Sequence, residues 1–255
     1  MIEAGAAAPA TNPEETDALG QGLIDLGFER SARKGAVIWT GQVEGRETTI
    51  VISIQSRTQY AGDVKTRRHL GFRLRIQLST TVPTRLYLVV ASFAENGLMR
   101  RIYRWRRQQV LTTMPAELSE YRGVAKDLSW GRSLLERSEI VQDIAGLIEE
   151  KTERGVKGSV YFEPGELHYG SGILARDDFE PDWVASVLDR LGRIAATAES
   201  IPPPRITEKI GRIGQFTRDN PAGGAIAFLG AIAVVGLGLS LLVVGALFLF
   251  VFFLN

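Results

Sequence analysis

Between Ala222 and Leu254 the chain reads AGGAIAFLGAIAVVGLGLSLLVVGALFLFVFFL, with no ionisable side chain and Ser240 as its only polar one. A run of that length and purity has few places in a folded protein. Crossing a hydrocarbon core of about 30 Å takes roughly 20 apolar residues at about 1.5 Å each. The run exceeds one span and is too short for two spans and a turn, which predicts a single tilted or glycine-kinked transmembrane helix over 222–254. Arg205, Lys209, Arg212 and Arg218 precede it and only Asn255 follows. The positive-inside bias then sets everything before residue 220 on the cytoplasmic side. The N-terminal residues carry acids and lack the basic region of a secretory signal. The expectation is a single-pass, tail-anchored protein of the cytoplasmic (inner) membrane, with the lipid bilayer as its first partner.

Within the span, Ala227 and Ala231 are one helical turn apart, as are Gly236 and Ser240. Small residues on one face let two helices approach closely, so these four are the candidate helix–helix contacts. Upstream, Ile206, Ile210, Ile213 and Phe216 recur at helical intervals, with Lys209 and Arg212 between them. This pattern predicts an amphipathic membrane-interface segment over 205–220. The triplet Pro202-Pro203-Pro204 within 201–204 cannot continue a helix and predicts a stiff spacer ahead of that segment.

The near-neutral net charge of +1 hides opposed blocks. Residues 29–107 hold sixteen Lys and Arg against five Asp and Glu, whereas residues 108–204 hold ten against seventeen. A basic half and an acidic half favour self-association or docking on a charged protein partner. The absence of cysteine excludes a disulfide framework, a thiol nucleophile and cysteine-ligated metal. With two histidines, no phosphate loop, no dinucleotide fingerprint and no lipase elbow, the sequence assigns no cofactor, no metal and no catalytic residue.

The soluble part is read as a flexible tail over 1–12 and an α+β domain over 13–200, an antiparallel sheet with flanking helices. Asn12-Pro13-Glu14-Glu15 resembles a helix start, with Leu19, Leu23, Ile24 and Phe28 as its apolar side. Strands are expected over 36–43, 47–55, 70–79 and 84–93, with another through 98–105. The 70–79 stretch alternates most cleanly, placing Leu70, Phe72, Leu74, Ile76 and Leu78 on one face and Arg73, Arg75 and Gln77 on the other. A helix capped by Ser138 over 139–152, a hairpin turning at Pro164-Gly165, and a helix opened by Pro181 complete the domain.

The sharpest local feature is Arg100-Arg101-Ile102-Tyr103-Arg104-Trp105-Arg106-Arg107. Interleaved arginine and aromatic side chains suit anionic lipid headgroups, the phosphates of a nucleic acid, pairing with the acidic half, or a solvated face. Lys65, Arg67, Arg68 and His69, with Arg73 and Arg75, are expected to extend this basic surface across one sheet face. Nucleic acid is the least favoured partner, because the whole chain is near neutral and carries no recognised binding motif. Glu163, Glu166 and His168 flank a tight turn and are expected to be solvated. The acids of Asp177, Asp178, Glu180 and Asp182 suit a helix N-terminus. The reading that emerges is a non-enzymatic interaction, regulatory or accessory module held at the membrane surface. The alternatives are a membrane-associated enzyme acting on an anionic headgroup-level substrate, and a nucleic-acid-binding membrane tether.

Overall fold

The computed structural model describes residues 18–33, 35–61, 64–150, 157–175 and 178–208. The expected transmembrane helix, its contact residues Ala227, Ala231, Gly236 and Ser240, and Lys209, Ile210, Arg212, Ile213 and Phe216 lie outside them, as does the expected tail. Among the described residues no helix is long and apolar enough to cross a membrane.

The chain folds into an α+β unit around one large antiparallel sheet. Its strands are β1 (Glu29–Arg33), β2 (Ala36–Val43), β3 (Arg46–Ala61), β4 (Val64–Ser79), β5 (Leu86–Val90), β6 (Gln109–Leu111), β7 (Tyr121–Ala125), β8 (Ser159–Glu163) and β9 (Glu166–Gly170). Their order is β1-β2-β3-β4-β9-β8-β5-β7-β6. The helices are α1 (Ala18–Asp25), α2 (Ala91–Ala94), α3 (Gly97–Trp105), α4 (Leu128–Leu135), α5 (Ser138–Glu149) and α6 (Pro181–Ser200).

Period-two alternation decides which sheet face is buried. Leu74, Ile76 and Leu78 of β4 stand beside Ile50 of β3 and Leu167 and Tyr169 of β9, all buried. Their opposite neighbours Arg73, Arg75 and Gln77 point to the other face. Four helices cover the apolar side. Trp183, Val184, Val187, Leu191, Ile194 and Ala198 of α6 join Ile140, Ile144, Leu147 and Ile148 of α5, Trp130 and Leu134 of α4, and Leu19 and Leu23 of α1 in one core. Pro181 sits in the first turn of α6 with Asp182 beside it, both suited to a helix N-terminus. The β2–β3 connection is a two-residue turn in which Glu44 and Gly45 take φ of 50° and 75°. That is the turn whose twist matches an antiparallel hairpin.

Several boundaries differ from the sequence reading. Ile24 is exposed and Phe28 is buried beyond the end of α1, because the helix stops at Asp25 and the chain turns into β1. Ser138 is the first helical residue of α5 rather than its cap, and the preceding Arg137 makes no side-chain capping bond. The strand expected over 84–93 is confined to Leu86–Val90 and gives way to a helical turn, α2. The strand expected through 98–105 is a helix, α3, whose N-terminal amide at Leu98 is capped by the side chain of Asn96. Its packing period is three to four residues, with Met99 and Tyr103 turned to the sheet.

Candidate functional site

α2 and α3 lie on the sheet face opposite the main core, over its β5–β7–β6 end. Ala94 and Tyr103 pack there on Val124, with Tyr87, Val89, Met99 and Val110 around them. Tyr103, expected at a contact surface, is instead a core residue at 8% exposure. Burial pushes its phenol pKa up. Once Met99 and Tyr103 are committed inward, helical geometry turns the rest of the run outward. Leu98, Arg101 and Trp105 fall on one exposed line at i, i+3 and i+7. Trp105 is 81% exposed and Leu98 66%. Arg100 and Arg104, one turn apart, line a groove of about 330 Å³ with Ala94, Glu95, Tyr103 and Val110.

The helix ends in a Schellman arrangement. The amide of Gln108 donates to the carbonyl of Tyr103 (2.8 Å) and that of Arg107 to Arg104 (3.0 Å). Arg107 takes the left-handed position, φ 55°, that such caps normally give to glycine. The arginines also differ in pairing from those elsewhere in the molecule. Arg46 is bound to Glu199, Arg85 to Glu208, Arg122 to Glu95, Arg190 to Glu150, and Arg193 to Asp143. Among the described residues, Arg100, Arg101, Arg104, Arg106 and Arg107 make no ion pair. Pairing of this run with the acidic half is therefore absent from the described structure, and the positive charge faces outward.

The second part of the site is a strap. Ile201, buried, closes α6, and the proline triplet is followed by residues that return to the domain rather than stand off from it. Asp127 accepts hydrogen bonds from the amides of Arg205 (2.6 Å) and Ile206 (3.3 Å), and from Ser129 and the amide of Trp130. Burial pushes its pKa up, but these four donors outweigh burial and hold the carboxyl below its ordinary range. Glu208, its side chain 2% exposed, takes Arg85 at 3.0 Å and Lys126 at 2.8 Å, and its own amide donates to Pro83. Arg205–Glu208, the described part of the expected segment over 205–220, are not helical, and Ile206 is 41% exposed.

Strand register relates the two parts. Leu86, the first residue of β5, pairs with Ala125, the last of β7, and Ala125 pairs with Gln109, the first of β6. The strap is held by Pro83, Arg85, Lys126 and Asp127, all at this end of the sheet. Trp105, Arg106 and Arg107 lead into Gln109 at the same end.

The other predicted basic residues lie elsewhere. Arg75 is exposed on β4, and Arg73 is half-buried with its Nε donating to the Ser171 carbonyl at 3.1 Å. Both are separated from β5 by β9 and β8. Lys65, Arg68 and His69 belong to the opposite end of β4. The expected continuous basic face is thus divided, because α3 packs on strands remote from β3 and β4.

Glu163, Glu166 and His168 are also not simply solvated. Glu166 is buried, with Oε2 3.1 Å from His168 Nε2 and 3.2 Å from Gln77 Nε2. The His168 ring stacks on Tyr161 at 4.7 Å and Tyr161 on Tyr87 at 5.6 Å, while the Tyr87 hydroxyl donates to Glu163 at 3.0 Å. Burial, and then the Glu163 charge, raise the pKa of both tyrosines. Sequence position suggested exposure; the register that aligns Gln77, His168, Tyr161 and Tyr87 in one cross-strand row was the missing information. The rings fill one another's faces, so this row braces the sheet. Among the described residues no group of three His, Asp or Glu side chains is placed to hold a metal.

No family model, curated protein or solved structure matches the chain.

Proposed function

We propose that the protein is a tail-anchored membrane protein whose cytoplasmic α+β domain is an interaction or regulatory module, seated with the outer face of α3 against anionic lipid headgroups. One observation carries this reading. Glu208, the last described residue ahead of the apolar run, is bound at the same sheet end as Trp105, Arg106 and Arg107, and these two arginines have no acidic partner among the described residues. Exposed tryptophan beside arginine is the composition of a membrane interface, and basic residues near an anionic leaflet gain from its surface potential.

The test is flotation of residues 1–208 with vesicles of phosphatidylserine and phosphatidylcholine at low salt. Binding that falls at least about tenfold for R104E/R106E/R107E is the expected result. A fragment that stays with the soluble fraction, or a triple variant that floats equally well, refutes it.

The α3–β6 groove favours a second reading, an enzyme or receptor for an anionic headgroup-level ligand. Arg100 and Arg104 would hold the anion, and its volume falls at the lower end of small-molecule sites.

A further inference from the structure

β3 and β4 continue well past the sheet that they belong to. The ladder of β2 on β3 ends at Ser53, apart from one bond from the Ile54 amide to Gly35, and that of β9 on β4 ends at Arg75. A single bridge joins Phe72 to Leu174. From there the ladder of β3 on β4 runs on without a third strand among the described residues, in the register Ser56↔His69, Arg57↔Arg68, Thr58↔Arg67, Gln59↔Thr66, Tyr60↔Lys65. The result is a two-stranded ribbon reaching about 20 Å beyond the sheet. It leaves from the end opposite the strap, since Ser79, at the other end of β4, pairs with Glu166 beside the Pro164-Gly165 turn.

Four features of this arm bear on its role. A lone two-stranded ribbon is marginal in water unless something covers it. Neither face is apolar: Arg57, Arg68, Gln59 and Thr66 occupy one, and Ser56, His69, Thr58, Tyr60 and Lys65 the other. Residues 54–71 carry four Lys and Arg against one acid, Asp63. Arg57 and Arg68 are moreover directly opposed, a like-charge pairing that costs stability unless an anion lies over it.

We propose that this ribbon is a nucleic-acid-binding arm that enters the major groove of a B-form duplex. A two-stranded ribbon fits that groove, whose walls present phosphates on both sides, so a ribbon basic on both faces is matched to it. A protein partner adding a strand or packing on one face would call for apolar positions at alternate residues, and the arm has none. The exposed side chains of Thr58, Gln59, Tyr60 and Thr66 lie towards its tip, with hydroxyl and amide groups that suit base edges. The low whole-chain charge, which counted against nucleic acid in the sequence, is irrelevant to a local arm. The inference does not depend on the lipid reading of α3, whose Arg106 and Arg107 lie at the other end of the sheet.

The experiment uses the full-length protein in neutral phosphatidylcholine nanodiscs and a labelled DNA duplex of about two helical turns. The expected result is binding at about 50 mM salt that weakens with a log–log slope of about −3 to −4, the value for about four phosphate contacts. R57E/R68E should bind at least about tenfold more weakly. R57Q/R68Q, which only removes charge, should lie between, and R106E/R107E should bind as the parent does. Absence of salt-dependent binding, equal binding by parent and R57E/R68E, or equal competition by polyglutamate overturns the proposal; the last assigns the arm to an acidic protein.

Discussion

The Glu208 carboxylate, almost wholly withdrawn from solvent, takes the Arg85 guanidinium at 3.0 Å and so joins the last described residue to the start of β5. Lys126 closes the same carboxylate from β7 at 2.8 Å. Breaking a buried pair from one side leaves charges without compensation. Glu208→Ala should lower the unfolding free energy of the 1–208 unit by about 3 kcal/mol. Truncation after residue 204 removes both this carboxylate and the amides that bind Asp127, and should destabilise the domain at least as much. Urea denaturation of the three proteins checks both statements.

Acid should release a second clamp. Hydrogen bonding from Arg46, with Thr80 and the amide of Thr81, outweighs burial and holds Glu199 down to about 2, from an ordinary 4.5. A carboxyl depressed in the folded state contributes fully above its unfolded value and loses that contribution as pH falls towards the folded one. Stability should therefore drop between about pH 4.5 and 2 by roughly 2 kcal/mol from this group. Glu199→Gln should flatten that part of the profile, as followed by denaturant midpoints over pH.

Arg107 occupies a backbone conformation in which a side chain costs about 1 kcal/mol. Arg107→Gly should raise the melting temperature by a few degrees and weaken flotation on anionic vesicles. Stabilisation with undiminished flotation would mean that the charge at this position contributes nothing to lipid contact.

Gly158 tests the core. A Cβ at Gly158 would lie 2.7 Å from the Leu147 carbonyl oxygen and 3.3 Å from that of Gly170, both backbone atoms that have little room to yield. Gly158→Ala should cost about 1–3 kcal/mol, read by thermal unfolding, because α5 would have to move off β8.

The elements legible in the sequence are those whose apolar pattern faces one continuous core. The alternation of β4, the Pro164-Gly165 hairpin and the apolar side of α6 all fall in this class. α3 is not legible as a helix because its two inward side chains, Met99 and Tyr103, sit among five arginines, and its small separate core is shared with α2, β5, β6 and β7. The arginine run was recognisable, whereas the inward turn of Tyr103 and the outward turn of Trp105 follow only from the helix. The arm escaped for a related reason: with no buried face it has no apolar alternation, and only the long β3–β4 register reveals it. Burial of Glu166 depends on neighbours contributed by β4, over eighty residues earlier in the chain.

The strap also determines how tension would enter the domain. A chain leaving directly from α6 would deliver any pull to the end of that helix and peel it from the sheet. With Glu208 held by Arg85 and Lys126, and the amides of Arg205 and Ile206 held by Asp127, a pull on the residues beyond reaches the ends of two central, hydrogen-bonded strands, β5 and β7. The clamp would then act as a mechanical anchorage, placing its ion pairs, ahead of the packing of α6, in line with such a pull.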